Sequence, residues 1–336
     1  MNVHPSQIPR LFCCAVLFAL LLPACGHKDT FSPEKRVVVY VAGYENNTAV
    51  LWKNDTVQNL TDGSNKAVAD GVYVSAGDVY VVGWELNSVT HNNVAMLWKN
   101  GAAQALTDGA QNAVALAVSV SGGDVYVAGY EANAAHISVA KIWKNGTAEV
   151  LTDGTNYASA NAIAVSGSDV YVAGADGQGR LWKNGIIQPL NGVTTNYFAD
   201  GVSVSGTEAY VAGMARVQNK ELAVIWENGN LQPLSSGSGN ANAIYVSGSD
   251  VYVVGYELAG RSIAKVWKNG VAQSLTDSTT NALAYAVSVS GSDVYVAGYI
   301  SNGPNNVATL WKNGTATALN HDLFDAAGLG IFVTDN

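Results

Sequence analysis

One short motif recurs along the chain and limits what it can fold into. Tyr-Val-Ala-Gly or Tyr-Val-Val-Gly ends at Gly43, Gly83, Gly129, Gly174, Gly213, Gly255 and Gly298. Each is followed by a tryptophan with Lys-Asn or Glu-Asn behind it, at Trp52, Trp98, Trp143, Trp182, Trp226, Trp267 and Trp311. Seven such pairs within residues 37–336 set a period of about 43 residues, the mark of a repeat architecture. In the fourth unit the pattern reads as four short strands over residues 162–166, 169–174, 179–182 and 187–190. The second of these alternates with period 2 and is rich in Val and Tyr, as pleated strands are. Ser-Gly-Ser-Asp makes a tight turn between the first and second strands. Lys-Asn-Gly joins the third and fourth, and Asn-Gly favours a two-residue hairpin because both residues tolerate positive φ. Four strands per unit, seven times over, predict an all-β fold: a seven-bladed β-propeller with four antiparallel strands per blade.

The two ends of the chain complete each other. Residues 37–43 form a second strand without a first, and residues 330–334 a first strand without a second. Pairing of the C-terminal strand with the N-terminal strand would close the ring and leave no long open sheet edge. Residues 37–336 are therefore expected to be one domain and one monomeric ring.

Spacing separates two faces. From each tryptophan to the next repeat glycine the distance is 31 residues, except for 29 after Trp226. From each glycine to its own tryptophan it varies between 8 and 15. Length variation thus sits in the loop between the second and third strands. In a propeller that loop shares a face with the connection between blades, and the two tight hairpins lie on the other. Variable loops on a rigid frame are where binding residues accumulate, so the variable face is read as the binding face.

Residues repeated in every unit are read as structural. The seven tryptophans suit packing between blades. The Lys residues after them are expected as solvated charges beside the hairpins, and Asp78, Asp124, Asp169, Asp250 and Asp293 as partners for turn amides. Candidate binding residues are those that differ between units. Trp84 stands where Tyr is usual; Tyr157, Tyr197 and Phe198 fall in connections between units, and Arg216 in a second-to-third loop. Glu85 and Glu131 belong to a broken set of five acids, with Glu45, Asp176 and Glu257, two residues after the glycines. Asp70 and Asp200, with Leu116, Asn161, Asn242, Tyr285 and Leu329, stand at the entry to each innermost strand, where they should crowd the channel mouth.

Charge excludes one class of partner. Lys and Arg number 17 against 26 Asp and Glu, for a net charge of −9. Nucleic acid binding needs a basic patch, so no nucleic acid is expected.

The N-terminus reads as an address. Residues 11–22 form an apolar run of 12, too short to span a bilayer as a helix and suited to the core of a signal peptide. The run ends in Leu22-Pro23-Ala24-Cys25, which resembles the bacterial lipobox. That resemblance implies a lipoprotein signal peptide over residues 1–24, diacylglyceryl transfer to the Cys25 thiol, and N-acylation of the new terminus. Two or more acyl chains give stable membrane attachment. Residues 25–36 would be the lipidated cysteine and a polar tether. Cys13 and Cys14 leave with the signal, so no intramolecular disulfide remains. The implied location is the bacterial cell envelope, lipid-anchored at the outer membrane.

Catalytic motifs are missing from the sequence. There is no Gly-x-Ser-x-Gly elbow, His-Glu-x-x-His, phosphate loop or dinucleotide fingerprint. His91 and His136 each lie seven residues before their tryptophan, but a zinc site needs further ligands. No catalytic residue, metal or other cofactor is assigned, and the chain is read as a non-enzyme. Asp124 to Glu131, Trp143 to Gly146 and Leu151 to Gly154 together resemble the tandem repeat of exported bacterial propeller lipoproteins. The resemblance spans residues 37–336 and implies the architecture. The expected function is binding of a glycan, peptide or protein partner through the variable face. Two alternatives stand beside it: a carbohydrate-active enzyme using carboxylates of that face, since carboxylate pairs about 5–9 Å apart cleave glycosides, or a structural subunit of an envelope complex.

Overall fold

Every repeat folds as a short antiparallel sheet. The structure is a computed structural model that describes residues 37–335 except 55, 194, 196 and 321–323. The signal segment, Cys25, the tether and His321 lie outside the described residues. The described residues are all-β, with 27 strands and no helix. They form five four-stranded sheets and one seven-stranded sheet, all paired antiparallel between neighbours.

Unit 2 shows the pattern: Ala67–Ser75, Asp78–Leu86, Asn93–Lys99 and Ala102–Ala105 pair in sequence order. The first three strands are largely buried, while the fourth is exposed along its length. Asn100 and Gly101 both take positive φ in the hairpin, as do their counterparts in other units. In unit 1 the chain ends meet: Ala326–Asp335 supplies the first strand and pairs with Val37–Glu45.

The tryptophans explain what holds neighbouring units together. All seven are at most 3% exposed. Seven apolar clusters form, each with one tryptophan set against residues of the preceding unit. Trp98 packs with Tyr40, Ala49 and Leu51 of unit 1. Trp52 packs with Tyr295, Ala297 and Ala308 of unit 7. The first strands also touch in succession, and Ala326–Asp335 contacts both Ala282–Ser290 of unit 7 and Ala67–Ser75 of unit 2. The indole N–H of Trp226 donates to Asn191 O at 3.1 Å.

Two features depart from the sequence expectation. In unit 4 the first strand is Ala158–Ser166, four residues longer at its start than expected. A bulge at Asn161 breaks the alternation there and hides the earlier half of the strand. Between units 5 and 6 a single strand, Asn230–Ser247, serves as the fourth strand of one and the first of the next. In units 1 to 3 a Leu-Thr-Asp-Gly segment turns the chain, and in unit 6 Leu-Thr-Asp-Ser stands in its place. Thr152 Oγ1 accepts from Ala140 N at 3.2 Å, and Asp153 Oδ1 from Thr155 N at 2.9 Å. In unit 5 Ser235 replaces the threonine, accepting from Ala223 N at 2.9 Å, but no aspartate follows and the strand continues through a register shift between Pro233 and Ser238. The spacing of 29 rather than 31 residues is the trace of that missing turn.

Candidate functional site

The repeat glycine shapes the site because it makes a bulge in the neighbouring strand. A Cβ on Gly83 would fall well inside contact distance of the Val68 carbonyl, and the other six repeat glycines face the same clash. The first strand bows at that point, and its register shifts by one residue between Ala69 and Gly71. The extra residue is Asp70. In the other units it is Leu116, Asn161, Asp200, Asn242, Tyr285 and Leu329. A bulge re-aims a side chain out of the alternation, so one variable residue per unit is presented at the same depth. These are the seven positions the sequence singled out.

Around units 4 to 7 these side chains link up. Asn161 Nδ2 donates to Ala199 O at 3.1 Å and to Asp200 Oδ1 at 3.4 Å. Asn240 Nδ2 donates to Asp200 Oδ2 at 3.0 Å and to Asn242 Oδ1 at 2.8 Å. Asn242 Nδ2 then reaches Ala284 O at 2.8 Å. Asp200 is thus held between two amides. Burial raises it, the two amides lower it, and its carboxyl settles at about 6. Asp70 has no such donors. Its Oδ2 is shut off from solvent without a hydrogen-bond partner. Burial pushes the Asp70 carboxyl up to about 8.

Beside Asp200 lies a pocket of about 250 Å³ between units 5 and 6, lined by Phe198, Asp200, Met214, Glu221, Asn240, Tyr256 and Leu258 among others. Phe198 and Leu258 are 46% and 50% exposed. The Tyr256 phenol is raised by burial first, then by the nearby charges of Asp200 and Glu221. Sequence reasoning found Phe198 and Asp200 of this set. It missed Asn240, Glu221, Tyr256 and Leu258. Asn240 stands two residues before a bulge position, the one signal that could have marked it.

The remaining candidates are scattered. Tyr157 is 70% exposed. Arg216 is exposed at the end of its strand, opposite Glu221 in register. Trp84 is half-buried, with Lys66 Nζ 5.9 Å from its ring centre. Tyr197 is in the core at 6% exposure, its ring 6.0 Å from that of Trp226. Strand alternation sends Tyr197 inward and Phe198 outward. The five acids do not form a set of free charges: Glu131 pairs with Lys141 at 2.5 Å and Glu257 with Lys265 at 3.0 Å. Glu85 has Met96 where those units have lysine, and its carboxyl is raised by burial and then by Asp62. His91 and His136 occupy corresponding left-handed turn positions. Among the described residues no three His, Cys, Asp or Glu side chains come together as a metal site.

Loops of the variable end do touch one another: Thr90 Oγ1 donates to Gly109 O at 2.8 Å, joining a second-to-third loop to a connection between units. At the hairpin end, the repeated charges are solvated, as expected, and also paired. Lys99 meets Asp78 at 2.8 Å, and the same pair recurs in units 3, 4, 6 and 7. The turn amide of Val79 is satisfied by Asn100 Oδ1, not by the aspartate. Unit 5 alone has carboxylates at both positions: the Tyr210 O–H donates to Glu208 at 2.9 Å and lies 3.4 Å from Glu227.

No protein-family model matches the chain, and no curated protein matches it either.

Proposed function

We propose that residues 37–336 close into a seven-bladed β-propeller, carried on a bacterial envelope membrane by acylated Cys25, that holds a partner through the face bearing the bulge residues and variable loops. Support for closure comes from the chain ends: Trp52 packs against unit 7 as every other tryptophan packs against its preceding unit. The observation that carries the binding role is the contrast between the two faces. Hairpin-end charges are satisfied internally in five units. The bulge positions bear a different set of side chains around the ring, and one of them opens into a pocket. A surface whose residues vary over an invariant frame is one that selects a ligand.

The test is position-specific cross-linking in the lipidated protein. A photoreactive residue at Tyr157 or Phe198 is expected to capture a partner in intact envelopes. One at Ile186, 68% exposed on an outer strand beside a hairpin, is expected to capture none. Adducts from Ile186 alone would overturn the assignment of the face.

A further inference from the structure

The pocket between units 5 and 6 has an unbalanced lining. Asp200 and Glu221 contribute carboxylates, and Asn240 lines the wall beside them with its Oδ1 buried. The Asn240 amide is fixed in orientation because both partners of its Nδ2 are acceptors, Asp200 Oδ2 and Asn242 Oδ1. Its Oδ1 is left without a partner. Against these acceptors the lining offers two hydroxyls, of Tyr256 and Ser238, which accept as well as donate, and no cationic side chain. No lysine or arginine acts on Asp200, whose environment is set by burial and two amides. Lys220 is engaged elsewhere, with Ser236 O at 3.3 Å. Acceptors in such excess call for a ligand that only donates.

The walls and the size narrow the choice. Phe198, Leu258 and Met214 give apolar sides, the first two about half exposed. At about 250 Å³ the pocket falls below the roughly 300–1,000 Å³ of sites that enclose drug-sized ligands. It has room for one side chain and not for an oligosaccharide. An ammonium donates three hydrogen bonds and accepts none, and its four-carbon stem lies well along apolar surface. The acidic balance of the chain, −9, steers basic partners toward it.

We infer that this pocket receives the lysine side chain of a protein partner, with the ammonium between Asp200 and Glu221 and the stem between Phe198 and Leu258. The inference rests on the variable-face reading and gives its ligand a chemical class.

Methionine methyl resonances provide the test. The chain has three methionines. Met214 lines the pocket, and Met96 is buried in unit 2 as an internal control. The full chain, labelled at methionine methyls, is titrated with Nα-acetyl-lysine N-methylamide. A saturable shift of Met214 with Met96 unmoved is expected. The Nε-acetylated probe and a neutral trisaccharide should leave Met214 in place. Asp200→Asn should weaken binding at least about tenfold, since it removes a desolvated charge partner. Glu221→Gln, on an exposed residue, should weaken it without affecting the fold. Three results overturn the inference: a silent lysine probe, equal shifts from the Nε-acetylated probe, or wild-type affinity in both variants. Each removes the lysine and leaves the cross-linking result, which concerns the face, to stand or fall by itself.

Discussion

The seam between units 7 and 1 and the seam between units 5 and 6 solve one problem in opposite ways. Beside the first, in unit 1, two distant parts of the chain pair, Val37–Glu45 with Ala326–Asp335. At the second, one continuous strand crosses from unit to unit. Both are filled alike: Trp52 sits against Tyr295 and Ala308, and Trp267 against Tyr210 and Ala223. The same side-chain packing thus joins units whether the next first strand follows a turn, as after unit 7, or runs on from the preceding fourth strand, as after unit 5. The difference shows in the bulge residues beside each seam. The strand at the chain ends lies along Asp70, which has no partner for Oδ2. The continuous strand supplies Asn240, which ties Asp200 down and walls the pocket.

Breaking the first seam should have the largest effect. Deleting residues 326–336 strips unit 1 of its first strand and exposes one side of Val39, Val41 and Trp52, all in the same buried cluster. Three large apolar side chains at about 1.5–3 kcal/mol each are comparable to the usual margin of stability, about 5–15 kcal/mol. Cooperative thermal unfolding is expected to disappear. A variant that melts as the full chain does would mean the ends do not carry the fold.

How much of this was readable beforehand depends on how far apart the cooperating residues lie. Gly83 and Trp98 announce themselves by repetition, and the Asn-Gly hairpins by local chemistry. Asp70 and its six counterparts could be picked out by position. That they are bulges could not, because a single inserted residue looks like noise in a period-2 pattern. The ion pair of Asp78 with Lys99 joins residues 21 apart across two hairpins, and each end alone reads as a surface charge. Tyr197 and Phe198 are adjacent aromatics, and only the start of the strand at Tyr197 decides which of them faces the core. The pocket was the least legible feature. It depends on a strand that continues, through a register shift between Pro233 and Ser238, where the other units break into a turn, and on side chains from two units meeting.

A second prediction sharpens the comparison of the two acids. The Asp70 carboxyl at about 8 lies above its ordinary value near 4, so the folded chain holds a proton that the unfolded chain releases. Stability therefore falls as pH rises from about 4 to about 8 and is lowest above that window. The loss is at most on the order of 5 kcal/mol. Asp70→Asn removes this contribution, so its stability should fall less over this range, stay level between about pH 6 and 8, and exceed that of the parent at pH 9. For Asp200, at about 6, the sign is the same but the window closes near pH 6. Urea unfolding at pH 5, 7 and 9 reads both. Parallel pH profiles for parent and Asp70→Asn would show that Asp70 is not held in the protonated form.

The smallest effect isolates the continuous strand from the hydroxyl that precedes it. Ser235 Oγ accepts from Ala223 N at 2.9 Å and donates to Gly237 O at 2.8 Å; Thr152 makes the corresponding bond to Ala140 N. Replacing either by Ala leaves a buried N–H without a partner, at a cost of about 1–3 kcal/mol. Ser235→Ala and Thr152→Ala should thus destabilise by similar amounts in urea. They should differ at the pocket. Ser238, Gly239 and Asn240 line it three to five residues beyond Ser235, whereas no pocket residue follows Thr152 at that distance. Ser235→Ala is expected to move the Met214 methyl resonance, and Thr152→Ala to leave it in place. An unmoved Met214 in both would mean that the strand keeps its course through pairing with Asp250–Leu258 alone. The serine would then be a relic of the turn the other units make, with no part in shaping the pocket.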